Sequence, residues 1–261
     1  MPPQRLSISG LGDRWTGWRW VLLFISALFL ASFSLKAEGW WEKTPFTQWP
    51  GIRVYELLTD SPWVLLSPAG FRQGENRRHS GYAISCNYLV RIVTAKPIRE
   101  ALLRSISLQG KLVSAKSGRK NMDADQQQEQ LHAFMASRPD DLRIKGNDRQ
   151  IIIAITLKID DRFTSHEEDD GTELSNVDIS AISAETSLAT DTGKRVDLED
   201  YRPAGNDRLG MQFYFPRQLP DGSPLISAGD KELRFGTRIN GTPVKVKFNL
   251  KKMIYKGKLE I

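Results

Sequence analysis

The residues able to do chemistry are few in this sequence, and their spacing argues against most catalytic and metal sites. Three histidines occur, His79, His132 and His166, and no two stand at the His-x-x-x-His separation that aligns imidazoles on one helix face. His166-Glu167-Glu168 begins like a zinc-protease motif but lacks the second histidine at the required offset. There is no Gly-x-Ser-x-Gly elbow, phosphate-binding glycine loop or dinucleotide fingerprint. The single cysteine, Cys86, shares a strand face with Tyr82, Ile84, Tyr88, Val90 and Ile92, which predicts a buried apolar thiol rather than a nucleophile. Glu167, Glu168, Asp169 and Asp170 are the best candidates for a calcium site, but their spacing lacks the alternation of an EF-hand loop. The expectation is a solvated acidic loop, with no metal and no cofactor. Asp160 and Asp161 point to opposite faces of a continuing strand and make a poor glycosidase pair.

Binding chemistry is better represented. Trp40, Trp41 and Trp63 could stack on sugar rings, or could anchor the N-terminal segment onto a sheet. Arg234, Arg238, Lys245, Lys247, Lys251, Lys256 and Lys258 form a basic stripe that could attract anionic lipid, nucleic acid or polysaccharide. Outward lysines also discourage edge-to-edge aggregation of sheets, and that use is the expectation here. The net charge of +6 is unevenly spread, with acids dominating between Asp160 and Asp200.

These residues must be positioned by a chain that is mostly short strands. The firmest element is a hairpin: Leu233, Phe235, Thr237 and Ile239 alternate on one face, Asn240-Gly241 supplies a type I′ turn, and Val244, Val246, Phe248 and Leu250 return inward. Gln150 to Ile159 is an apolar run that predicts a strand buried on both faces. Further strands are expected at residues 82–94, 185–189, 195–198 and 210–215. Helices are expected at residues 51–58, 97–108 and 123–137, the last two opened by Pro97 and by an Asp123/Gln126 capping box. Residues 67–80, with Gly70, Gly74, Arg77 and Arg78, read as an exposed loop. The fold class predicted is mainly β with a few helices (α+β), an antiparallel β-sandwich that is Ig-like in general architecture.

Arg5, Arg14 and Arg19 precede an uncharged, mostly apolar run from Trp20 to Leu35 that ends at Lys36, the pattern of an export signal or an N-terminal anchor. The run is shorter than the roughly 20 residues that span a bilayer comfortably. The expected organisation is residues 1–37 as signal peptide or membrane anchor, 38–80 as a Trp-rich segment with a short helix, and 81–261 as the β-sandwich domain. The segment Trp49 to Trp63 ending Leu-Thr-Asp-Ser-Pro-Trp, the Ala95 to Ala101 junction, and the region from Phe215-Pro-Arg217 to Leu250-Lys-Lys-Met-Ile-Tyr-Lys-Gly-Lys-Leu-Glu260 together resemble a group of exported proteins of soil-bacterial type. That resemblance implies a bacterial envelope location and assigns no activity to any residue. The function expected is a non-catalytic binding or interaction module in the periplasm, cell envelope or secreted fraction. Its partner would be an envelope protein or cell-wall polysaccharide rather than nucleic acid, with membrane contact only through an uncleaved N-terminus. A glycan-acting hydrolase and a structural subunit of an envelope assembly are the alternatives.

Overall fold

The computed structural model describes residues 39–76, 79–116, 124–138, 140–160, 182, 184–205 and 209–261. It divides into two compact units, Met1–Lys43 and Thr44–Ile261. In the first, the described part is a single turn of helix, α1 (Trp40–Lys43), whose two indoles meet edge to face at 5.7 Å.

The second unit is built on two antiparallel sheets. One has the order β1-β2-β3-β7-β6, from Val64–Asn76, His79–Ile92, Gln150–Asp160, Met211–Pro216 and Asp200–Arg202. The other has the order β5-β4-β8-β9, from Arg195–Asp197, Ser187–Thr190, Glu232–Ile239 and Thr242–Asn249. A two-stranded ribbon, β10 (Ile254–Tyr255) and β11 (Lys258–Leu259), completes the sheets. The helices are α2 (Gly51–Thr59), α3 (Lys96–Lys116), α4 (Ala124–Ser137) and α5 (Leu142–Lys145), with 3-10 turns at Phe46–Gln48 and Leu250–Lys252.

Burial along the strands fixes the layers. Every residue of β3 from Ile151 to Leu157 is buried, as is every residue of β7 from Met211 to Phe215. A strand covered on both faces belongs to a middle layer. In β8 and β9, burial instead alternates residue by residue, so the four-stranded sheet has one face in the core and one in water. Phe235 of β8 crosses the gap to Phe213 and Phe215 of β7, with ring centroids 5.5 and 6.0 Å apart. The far face of the five-stranded sheet takes the helices. There the buried Arg91 of β2 donates from Nε to the Leu58 carbonyl in the last turn of α2 (2.8 Å) and from Nη1 to Thr156 Oγ1 (3.0 Å). The second unit is therefore layered helix, sheet, sheet, a mainly-β α+β fold.

Two expectations need correction. Residues 67–80 are largely strand: β1 and β2 pair from Val64↔Arg91 to Asn76↔His79. Gly70 and Gly74 sit instead on a bulged strand, with register shifts at Pro68/Gly70 and Gln73/Glu75 and Gly70 at φ +114°, while Arg77 and Arg78 lie outside the described residues. The boundary expected at residue 80 thus falls inside a hairpin, and the segment from Thr44 onward belongs to the same compact unit as the sheets. Helix α3 also runs to Lys116, beyond the 97–108 expected.

Candidate interaction surface

The exposed face of the four-stranded sheet gathers more functional side chains than any other described region. The β8–β9 hairpin forms because its seven buried positions alternate with outward ones and because Asn240 (φ 47°) and Gly241 (φ 80°) adopt the left-handed turn that matches strand twist. The alternation turns Glu232, Arg234, Gly236 and Arg238 of β8 outward, with Pro243, Lys245, Lys247 and Asn249 of β9 beside them. Register then decides which of these meet. Arg234 stands directly opposite Lys247, and the same row continues through Ala189 of β4 to Arg195 of β5. Gly236 stands between Ser187 and Lys245.

The charges on this face are only partly neutralised. Arg234 binds Glu232 on its own strand (Nη2–Oε2 2.9 Å), and Arg238 binds Glu185 (Nε–Oε2 2.6 Å). Arg195 reaches Asp197 at 3.4 Å. Among the described residues, Lys245 and Lys247 have no acidic partner, and both are exposed. A like-charged cross-strand pair such as Arg234–Lys247 opposes sheet formation by a few tenths of a kcal/mol to about 1 kcal/mol. Among the described residues, no aromatic side chain lies on this face. Of the seven basic residues in the sequence stripe, the structure brings Arg234, Arg238, Lys245 and Lys247 together. Lys251, Lys256 and Lys258 belong to the 3-10 turn and the β10–β11 ribbon instead.

The other sequence candidates are placed elsewhere. Trp63 is fully buried, and its Nε1 donates to the Glu260 carbonyl at 2.7 Å, so the indole is an anchor between distant parts of the chain with no face open to a sugar. Trp49 is likewise buried, with Nε1 on the Thr44 carbonyl. Trp40 and Trp41 are half-buried within the first unit. Glu167, Glu168, Asp169 and Asp170 lie outside the described residues, as do His166 and Asp161. Among the described residues, no three histidine, cysteine, aspartate or glutamate side chains gather as a metal site would require. Cys86 is buried, and His132 is exposed on α4.

Two polar clusters were not visible in the sequence. Asp230, whose side chain is fully buried, accepts from Thr192 Oγ1 (2.5 Å), from Ser227 N (2.6 Å) and Oγ (2.9 Å), and from Lys194 Nζ (3.3 Å). Burial alone would push this carboxyl up. The hydroxyl, backbone and ammonium donors outweigh it and hold the group far below the usual carboxylate range. At another corner Arg217 donates to the carbonyls of Gln150 (3.1 Å), Asn147 (3.3 Å) and Ile261 (2.5 Å). Burial lowers its guanidinium pKa, while the nearby Asp148 and Glu260 carboxylates act in the opposite sense. Both clusters have their bonds satisfied within the chain and read as clamps. Gly229-Asp230 signals a turn in the sequence, but the donors at 192, 194 and 227 carry no mark of it. No family model, curated protein or solved structure matches this chain.

Proposed function

We propose that this chain is an exported, non-catalytic interaction module of the bacterial cell envelope, and that the outer face of its four-stranded sheet holds an anionic partner. The observation that carries the reading is the placement of Lys247 opposite Arg234, with Lys245 and Lys247 both lacking an acidic partner among the described residues. Sheets ordinarily avoid such pairing, and an acidic partner would relieve it. Export rests on the arginine-flanked apolar run that precedes the fold. The hydrolase alternative loses support because Trp63 is inside the core rather than lining a cleft.

The test is retention of the purified chain on solubilised envelope proteins and on insoluble cell-wall polysaccharide, at low salt and near 1 M salt, where the Debye length falls to about 3 Å. The reading expects retention at low salt that disappears at high salt and in a Lys245→Glu/Lys247→Glu variant that keeps its fold. Salt-independent retention, equal in the variant, would overturn it.

A further inference from the structure

Gly236 is a residue that neither the backbone nor the packing requires. It lies mid-strand in β8, paired to Ser187 on one side and Lys245 on the other, in registers that run unbroken. No bulge calls for a glycine there. Its φ is not among the positive values, so the backbone suits any residue. A Cβ placed on it would meet no atom within 4 Å, so no neighbour fills the space. Glycine inside a strand lowers stability relative to β-branched residues. The remaining use of a strand glycine is the close approach of a ligand or of another backbone.

The surroundings of this notch define what would approach. Arg234 and Arg238 stand on either side along β8, about 13 Å apart from the strand rise, and Lys245 stands next to it on β9. Both arginine forks, the groups suited to gripping phosphate bidentately, are already engaged by Glu232 and Glu185. The uncommitted charge sits on Lys245 and Lys247, two residues apart on one strand face and so about 7 Å apart. Side chains on one face of an extended peptide repeat at that same interval. With no aromatic ring on this face among the described residues, a sugar or a base finds no surface there on which to stack.

We propose that the notch at Gly236 receives the main chain of an extended acidic peptide segment. Carboxylates at its positions i and i+2 would pair with Lys245 and Lys247. This rests on the reading of the face as anion-binding and adds the kind of partner and its point of closest approach. The binding would be electrostatic at the lysines and steric at the glycine, so the two contributions separate by mutation.

The probe is a fluorescent twelve-residue peptide of alternating Glu and Ser, titrated by anisotropy against the full chain, with inorganic polyphosphate as a competitor arm. Gly236→Val is the informative variant, because the empty space and ordinary backbone make it stabilising while its side chain fills the notch. The expected result is salt-dependent peptide binding weakened on the order of tenfold in Gly236→Val, together with a melting temperature a few degrees above the parent. Lys245→Glu/Lys247→Glu should abolish the binding. Parent-like peptide binding by Gly236→Val would overturn the notch while leaving the basic face intact as an anion surface. Binding of polyphosphate without the peptide would overturn the peptide assignment alone. Binding of neither would overturn both this proposal and the reading beneath it.

Discussion

Replacing Asp230 by asparagine should cost more stability than any other near-isosteric change in the four-stranded sheet region. The carboxylate takes four hydrogen bonds, from the Thr192 hydroxyl, the Ser227 N–H and hydroxyl, and the Lys194 ammonium. Asparagine presents one acceptor oxygen and an NH₂ group, so with the oxygen kept on Ser227 and Lys194 the NH₂ faces Thr192, whose hydroxyl must turn from donor to acceptor, and the charge that strengthened all four bonds is gone. Hydrogen bonds to a charged group contribute about 1.5–3 kcal/mol each. Their sum is not additive, and Lys194 is part-exposed and screened. We expect a loss of about 3 kcal/mol at pH 7, measured by urea unfolding of parent and variant. The pH series carries the sharper prediction. The folded-state pKa of Asp230 is depressed, so its stabilisation is full above the unfolded carboxyl value near 4 and is lost as pH falls toward the folded value. The gap between parent and Asp230→Asn should therefore stay constant from pH 7 to about 5 and shrink below pH 4. A loss under about 1 kcal/mol at pH 7, or a gap indifferent to acid, would refute the reasoning.

Gly210→Ala should destabilise by at least about 2 kcal/mol, since it combines strain at φ +83° with a Cβ 2.2 Å from the Ile155 carbonyl oxygen; thermal unfolding reads it directly. Trp63→Ala should cost about 3–5 kcal/mol from the cavity and the orphaned Glu260 carbonyl, seen as a lowered denaturant midpoint. Lys247→Glu, which turns a like-charged cross-strand pair into an attractive one, should raise stability by several tenths of a kcal/mol. Its gain should fade in high salt. Cys86 should react with a thiol reagent no faster than the protein opens, because its sulfur is buried; fast labelling of the folded chain would contradict this.

The parts of the fold legible in the sequence are those written into local pattern. The β8–β9 hairpin announced itself through strict alternation around Asn240-Gly241, and β3 through an unbroken apolar run that only a middle layer accommodates. What stayed hidden depends on partners far along the chain. The β1 strand looks like a loop because its Gly70 and its charges belong to a bulged edge, whose pairing with β2 supplies the order that local propensity withholds. Trp63 looked like a possible sugar platform because nothing nearby reveals an acceptor 197 residues away. The basic face was half-read: outward lysines were evident, whereas the register that sets Lys247 against Arg234 and opens a gap at Gly236 exists only once β8 and β9 are paired.

The hydrogen bond from Trp63 to the Glu260 carbonyl also sets a timetable. The strand that opens the five-stranded sheet is fastened to a residue 197 positions further along the chain, and Arg217 reaches the Ile261 carbonyl beside it. Contacts of such sequence separation form slowly, since a long loop must close before they form. During synthesis the first strands would wait, unlatched, until Glu260 and Ile261 emerge. On the export reading proposed above, that delay would keep the chain loose enough to be drawn through a narrow channel before it fastens.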